Sequence, residues 1–294
     1  MSLQRQWFGE FSVLRRPSRG EGAVAVHFAH ATGFNANTYA PLLESLDPSI
    51  DVYAMDARGH GLSEAKANPR RLRSWVRFQR DLQAFVKNLP RPLVLAGHSL
   101  GGTVSIQVAA KHPSWVAGLV LIDPVLAAPV HGAWMPFARA AGLTAQMPIA
   151  RAAARRRMGF SSKEAAVENY LGKGEFRTWS RDWIEAYVDG GTVPTDAGTV
   201  RLSCDREWES KTFASATTRP FSRVKRLRCP ITLIMGDYDG PPLSRAARKT
   251  FKRMRPEARI LQPAGSTHFI PMERPDLIKE EIERMAATVR SELR

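Results

Sequence analysis

Short apolar runs, several of them rich in β-branched residues, alternate along the chain with longer stretches whose apolar residues recur at helical spacing. This pattern predicts strands and helices in alternation, which is typical of an α/β fold with a mostly parallel sheet flanked by helices. The predicted strands are Val24 to Phe28, Val52 to Met55, Leu93 to Ala96, Gly118 to Ile122, Ile231 to Met235 and Arg259 to Leu261. The predicted helices are Thr38 to Leu46, Ser74 to Leu89, Gly102 to Lys111, Leu243 to Met254 and Pro275 to Leu293.

The second predicted helix has the clearest periodicity, because its large apolar side chains fall on one face. Those residues are Trp75, Phe78, Leu82, Phe85, Val86 and Leu89. A face of this kind packs against a sheet more often than it binds a cofactor, so we expect it in the core. The chain before Val24 is short, which leaves few residues for edge strands.

The regular alternation stops after Pro124 and resumes near Cys229. We therefore predict a core domain formed by residues 1–124 and 229–294, and a helical cap formed by residues 125–228. Three stretches of the cap have helical spacing: Pro136 to Met158, Ser162 to Leu171 and Thr178 to Val188. Its tryptophans and other apolar residues could roof a pocket or simply pack the cap onto the core.

The chain of 294 residues carries a formal net charge of +15, with 43 lysines and arginines against 28 acidic residues. The arginines form short scattered groups without a nucleic-acid-binding motif, so we expect a solvated basic surface and no specific nucleic-acid partner. Association with a polyanion or an acidic membrane through this surface is a separate hypothesis. The sequence has neither a signal-peptide pattern nor an apolar stretch of membrane-spanning length, and Cys204 and Cys229 form no recognisable disulfide or zinc pattern, so we expect a cytoplasmic protein.

The segment Gly97-His98-Ser99-Leu100-Gly101 directly follows a predicted strand and precedes a predicted helix. In that context Gly-x-Ser-x-Gly is a nucleophile elbow, a sharp turn that projects the serine hydroxyl into open space. A serine hydroxyl needs a base to take its proton. We predict His268 as that base, since it lies in a loop beyond the last predicted strand, at the same edge of the sheet as Ser99. We expect His98 to point away from the nucleophile and to pack or make a local hydrogen bond.

The imidazole in turn needs a carboxylate that fixes its tautomer and stabilises its charged form. Asp239 follows the strand Ile231 to Met235, and we predict it as this acid. Two rivals are Asp237, which lies in the same loop, and Asp123, which ends the strand Gly118 to Ile122.

Attack on a carbonyl group produces an oxyanion, which backbone N–H groups can stabilise. Leu100 is predicted to supply one donor from the start of its helix. The second donor is expected from the loop that follows the first predicted strand, where Gly33 permits an unusual backbone turn. We favour the N–H of Phe34 over that of Thr32.

The chain resembles the α/β-hydrolases of the capped, esterase-like kind, in which the cap is inserted after the sixth strand of the family. Five segments carry the resemblance, in family order: His30 to Phe34, Asp56 to Ser63, Gly97 to Gly101, Gly236 to Asp239 and Gly265 to Phe269. The resemblance implies the same roles for Ser99, Asp239 and His268, with the amides of Phe34 and Leu100 as the oxyanion hole. It also implies structural roles for Asp56 and Arg58. The sequence has Ala31-Thr32 where many relatives carry glycine directly after the histidine. This difference affects which backbone N–H serves as the second oxyanion donor, that of Phe34 or that of Thr32.

These inferences predict a serine hydrolase that cleaves a carboxylic ester, or a related thioester, lactone or amide, through an acyl-enzyme. The apolar cap suggests a small-molecule substrate with a hydrophobic part, and no cofactor or metal ion is expected because the sequence has no metal-ligand cluster or phosphate-binding glycine loop. The same triad also supports perhydrolysis and carbon–carbon bond cleavage. A different class of function is a non-catalytic protein that binds a small ligand in the same pocket.

Overall fold

The structure is a computed structural model that describes residues 2–19, 23–127, 137–138, 141–216 and 220–292. The strands in this part of the chain are β1 (Gln4–Phe8), β2 (Phe11–Arg16), β3 (Val24–Ala29), β4 (Ile50–Met55), β5 (Leu93–His98), β6 (Gly118–Ile122), β7 (Gly159–Phe160), β8 (Thr192–Pro194), β9 (Val200–Leu202), β10 (Ile231–Ile234) and β11 (Arg259–Leu261).

The helices within the same ranges are α1 (Ala40–Ser45), α2 (Val76–Val86), α3 (Leu100–Lys111), α4 (Pro148–Ala154), α5 (Lys163–Tyr170), α6 (Arg181–Gly191), α7 (Arg206–Ala214), α8 (Phe221–Val224), α9 (Arg245–Met254), α10 (Ile270–Glu273) and α11 (Pro275–Ser291). Short 3₁₀ turns lie at Ala36–Tyr39, Pro69–Arg71, Leu143–Gln146 and Gly174–Phe176. All six predicted strands and all five predicted helices of the core have counterparts among these elements, with ends that differ by three residues or fewer where the structure describes them. Residue 293, the predicted end of the last helix, lies outside the described residues.

An eight-stranded sheet in the order β1-β2-β4-β3-β5-β6-β10-β11 forms the centre of the molecule. β1 and β2 pair antiparallel at one edge, and β2 also runs antiparallel to β4. All pairs from β4 to β11 are parallel. The predicted α/β fold with a mostly parallel sheet is therefore confirmed, and the strands of its parallel part end at one common edge.

Side chains of the central strands alternate between two apolar cores, one on each face of the sheet. In β5, Leu93 and Leu95 join one core, whereas Val94 and Ala96 join the other. The first core includes the apolar face of α2, whose six predicted residues are all buried, and the second includes α1 and α11. Strands buried on both faces read as continuous apolar runs, which explains why the sequence pattern found them.

Two parts of the molecule differ from the sequence-based expectation. The short chain before Val24 forms the edge strands β1 and β2, because a tight turn at Gly9, with φ of +55°, lets it fold back on itself. The interval 125–228 also contains a small antiparallel sheet in the order β7-β9-β8, beside its helices. These strands have two or three residues each, which is too short for periodicity to reveal.

The interval 125–228 is tied to the rest of the fold by buried side chains that bond to backbone carbonyl groups. The indole of Trp75 donates to the carbonyl oxygen of Thr212 at 2.8 Å, and the indole of Trp208 donates to that of Arg58 at 3.0 Å. Asn35 Nδ2 reaches the carbonyl oxygen of Tyr187 at 3.0 Å. The predicted helix Pro136 to Met158 begins outside the described residues, which include 137–138 and resume at 141. Trp134 also lies outside them.

Within the described ranges, every helix is either too short or too polar to cross a lipid bilayer.

Replacement of a central core residue should test this account of the sheet. Leu95→Ala removes a side chain with no solvent exposure from β5, so we expect a loss of about 2–5 kcal/mol in the free energy of unfolding. The matched control is Leu143→Ala at a position that is 60% exposed, where the change should stay within about 0.5 kcal/mol. Denaturant titration of both variants measures the difference, and equal losses would contradict the placement of β5.

Candidate active site

Ser99 lies at the turn between β5 and α3 with φ of 54° and ψ of −116°. A non-glycine residue in this region of backbone space costs roughly 1–3 kcal/mol and persists only where the surroundings enforce it. Two contacts enforce it here. The Ser99 amide donates to the carbonyl oxygen of Ile122 in β6 at 2.9 Å, and Gly101 packs so closely that a Cβ on it would lie 2.0 Å from the carbonyl oxygen of Ala29 in β3.

His268 lies in the loop between β11 and α10, and its Nδ1 is 2.7 Å from Oδ2 of Asp123. Asp123 directly follows β6 and has no solvent exposure. A carboxylate only accepts hydrogen bonds, so Nδ1 of His268 carries a proton, and in the neutral ring Nε2 is then the acceptor. This is the tautomer that a general base requires.

Two further donors hold the Asp123 carboxylate. The Tyr238 hydroxyl bonds to Oδ2, and the amide of Gly236 approaches Oδ1 at 3.4 Å. Burial, followed by the nearby Asp123 charge, raises the pKa of Tyr238, so its hydroxyl stays protonated and donates. The carboxylate thus has three partners and one defined orientation.

The structure does not bring Asp239 to His268, so the sequence-based choice of acid needs correction. The Asp239 side chain is 56% exposed, and its Oδ1 accepts from the amide of Arg245 at 2.9 Å. The rival Asp237 bonds instead to Gln262 and to the amide of Gly265. The Asp239 carboxylate is held at the first residue of α9, whereas Asp123 follows β6, the strand that pairs with β5 beside the elbow. The rival Asp123 therefore occupies the place that was predicted for Asp239.

The predicted oxyanion donors differ in their availability. Leu100 is the first residue of α3, where backbone N–H groups have no acceptor within the helix. The amide of Phe34, by contrast, donates to the carbonyl oxygen of Ala31 at 3.2 Å, in the turn that Gly33 makes with φ of +78°. The amide of Thr32 makes no hydrogen bond to another described residue. The geometry thus favours the N–H of Thr32, which was the alternative, over that of Phe34.

Ser99 and His268 both line a cavity of about 410 Å³. Its other walls come from the oxyanion loop, which is defined here as residues 30–35, and from the interval 125–228. An adjoining cavity of about 750 Å³ also reaches Ser99 and His268 and is lined mainly by apolar atoms, with Trp75 and Tyr238 on its walls. The two side chains therefore lie where the two cavities meet.

A buried ion pair in the first cavity escaped the sequence analysis. Arg156 Nη1 lies 2.9 Å and 3.1 Å from the two carboxylate oxygens of Glu209, and both side chains are mostly buried. The carboxylate packs on the oxyanion loop, because a Cβ on Gly33 would lie 2.2 Å from Glu209 Oε1. Arg156 belongs to a run of three arginines, and composition alone could not separate a buried arginine from its exposed neighbours.

The segment Asp56 to Ser63 has the structural role that the resemblance implied. Oδ1 of Asp56 accepts from the amide of Ala36 at 2.7 Å, and Oδ2 accepts from the amide of Leu62 at 3.1 Å. Arg58 forms a bidentate ion pair with Asp81, in which Nε lies 2.8 Å from Oδ2 and Nη2 lies 2.9 Å from Oδ1. Both side chains hold loops in place and neither lines the cavity of about 410 Å³.

Comparisons with known proteins agree with the fold described above. The model of the alpha/beta hydrolase family matches residues 28–281. A 2-(acetamidomethylene)succinate hydrolase of Mesorhizobium japonicum is 25% identical over 90% of this chain and 88% of its own. A mouse monoglyceride lipase is 34% identical, over 38% of each chain. Among solved structures, an E-2-(acetamidomethylene)succinate hydrolase superposes with a TM-score of 0.77 at 22% identity, covering 96% of this chain and 98% of the other. An esterase of Mycobacterium tuberculosis superposes with a TM-score of 0.72 at 23% identity, covering 96% of this chain and 91% of its own.

The hydrogen bond between His268 and Asp123 should give a strongly deshielded proton signal in the NMR spectrum. We expect this signal to disappear in Asp123→Asn and in His268→Gln, because each change removes one partner of the bond. The matched control Asp239→Asn should leave the signal in place. A signal that survives Asp123→Asn but is lost in Asp239→Asn would restore the original choice of acid.

Proposed function

Since this chain belongs to the alpha/beta hydrolase family, and is in that general sense a hydrolase, we propose that it cleaves a carboxylic ester through an acyl-enzyme. Ser99 is the nucleophile, His268 is the general base and Asp123 is the acid. The observation that carries the proposal is the 2.7 Å hydrogen bond from His268 to the buried Asp123, at a cavity that also contains Ser99.

In the first half of the reaction, Ser99 Oγ attacks the carbonyl carbon while its proton moves to Nε2 of His268. The Asp123 carboxylate stabilises the imidazolium that forms. The bond to the leaving alcohol then breaks, and the alcohol takes the proton from His268. Water attacks the acyl-enzyme with the same base, which releases the acid and restores the Ser99 hydroxyl.

The negative charge on the carbonyl oxygen needs donors that are fixed before the reaction begins. The N–H of Leu100 supplies one, at the positive end of α3. We assign the second to Thr32 rather than Phe34, because the amide of Phe34 already has an acceptor.

The interval 125–228 acts as a cap in this proposal, since Tyr170, Phe176 and Phe213 contribute to the wall of the cavity around Ser99. The apolar lining of the adjoining cavity suits a substrate with a hydrophobic part. A small-molecule ester of this kind is consistent with the mouse relative, a monoglyceride lipase by name, and with a pimeloyl-[acyl-carrier protein] methyl ester esterase of Shewanella that is 35% identical over 40% of this chain and 41% of its own.

Amide hydrolysis is the second candidate. The relative from Mesorhizobium japonicum matches 90% of this chain, whereas the monoglyceride lipase and the methyl ester esterase match 38% and 40% of it, and its name describes a substrate that carries an acetamido group. The same triad performs both reactions, but an amine leaves less readily than an alcohol and depends more on protonation by His268.

A fluorophosphonate probe should label the protein covalently at Ser99. We expect labelling to disappear in Ser99→Ala and to remain in Ser161→Ala, which removes an exposed serine as the matched control. Hydrolysis of a nitrophenyl ester should fall by about 10³-fold or more in Ser99→Ala. A folded wild-type protein that neither labels nor turns over would instead indicate a non-catalytic protein that binds a small ligand.

Matched substrates should separate the two candidate reactions. Nitrophenyl esters and nitroanilides of the same acyl groups, in a series of increasing chain length, differ only in the atom that leaves. If the protein is an esterase, the ratio of kcat/KM for the ester to kcat/KM for the anilide should be larger than the ratio of their uncatalysed hydrolysis rates. An equal or smaller ratio would assign the protein to amide hydrolysis.

A further inference from the structure

His98 precedes the nucleophile and takes part in none of the steps above, yet its environment is unusually well defined. The residue has no solvent exposure, and its ring centroid lies 4.7 Å from that of His268. Both ring nitrogens have partners within hydrogen-bond distance. A buried imidazole with two satisfied nitrogens has one fixed tautomer and one fixed orientation.

The partner of Nε2 is the backbone carbonyl oxygen of His268, at 2.8 Å. A carbonyl oxygen only accepts, so Nε2 of His98 carries a proton and donates it. The nucleophile's neighbour is thus bonded directly to the main chain of the residue that serves as the base.

The partner of Nδ1 is the Tyr39 hydroxyl, at 2.7 Å. Burial lowers the pKa of His98 well below its usual value, so the ring is neutral and Nδ1 accepts. Burial also raises the pKa of Tyr39, which keeps the proton that the hydroxyl donates. The Tyr39 oxygen in turn accepts from the amide of Ala31 at 3.3 Å.

These bonds form one chain that runs from Ala31 through Tyr39 and His98 to His268. It joins the oxyanion loop, the elbow and the loop of the base, which are three segments far apart in the sequence. Every donor in this series of hydrogen bonds faces an acceptor. Reversing the direction of any one bond would leave a buried polar atom unpaired, which costs about 1–3 kcal/mol.

We propose that His98 is a positioning residue, which holds the backbone of His268 at the distance from Ser99 that proton transfer requires. The inference rests on the proposed function, because it assigns to His98 the placement of that base. A shift of about 1 Å in such a group can lower the rate of the chemical step by about 10²-fold while substrate binding is unchanged.

Two substitutions at His98 form a matched pair. In His98→Gln the side-chain amide reaches about as far as Nε2 of the imidazole, so it can still donate to the carbonyl oxygen of His268. In His98→Asn the amide stops near the position of Nδ1, so the partnership with Tyr39 can remain while the bond to His268 is lost. Both substitutions remove the ring and place an uncharged amide in the same site.

We expect kcat on a nitrophenyl ester to fall by about 10- to 100-fold in His98→Asn, with KM within about twofold of the wild type. In His98→Gln, kcat should stay within about threefold of the wild type. The melting temperature of each variant shows whether it is folded. A folded His98→Asn variant with wild-type kcat, or equal losses of kcat in both folded variants, would overturn the inference.

A measurement on the wild-type protein decides the case in which neither variant folds. The ¹⁵N chemical shifts of the His98 ring should show a neutral imidazole protonated at Nε2, and an Nδ1-protonated ring or an imidazolium at neutral pH would overturn the inference. If the wild type neither labels with the fluorophosphonate nor turns over, the proposed function fails. If it does both while folded His98→Asn keeps full kcat, only the role of His98 fails.

Discussion

The close packing of the elbow between β3 and β6 is the constraint on which the candidate site depends. Gly101 lies against the carbonyl group of Ala29 on one side, and the amide of Ser99 bonds to Ile122 on the other. These contacts hold Ser99 in a backbone conformation that a free serine would avoid. Because β3, β5 and β6 are parallel neighbours, the residues that follow each strand meet at one edge of the sheet.

Burial of charge explains how the acid and the base are linked. Asp123 has no solvent exposure, and an isolated carboxylate in that position would be very costly. The hydroxyl of Tyr238 and Nδ1 of His268 offset this cost, and the bond to His268 fixes a ring that lines the same cavity as Ser99. The exposed pair of Asp239 and Arg245 needs no such compensation, and surface pairs of this kind contribute little to stability.

The oxyanion loop is held on two sides by different kinds of contact. On one side, Tyr39 bonds to the amide of Ala31 and connects the loop to the elbow through His98. On the other side, the pair of Arg156 and Glu209 packs directly on Gly33. Removal of one member of this buried pair would leave the other charge uncompensated beside the oxyanion loop.

The sequence by itself determined the fold class, the core elements and the positions of Ser99 and His268. Strands buried on both faces have continuous apolar runs, and helices have apolar residues at a regular spacing. An elbow needs glycines at fixed positions around the serine. All three features are local patterns, so the sequence alone can predict them. Only the tertiary structure decided that Asp123 rather than Asp239 meets His268, that Arg156 is buried, and that His98 bonds to the main chain of His268. Each of these contacts joins residues that are far apart in the chain. Whether they meet depends on the path of the loops between them, which the local sequence does not encode.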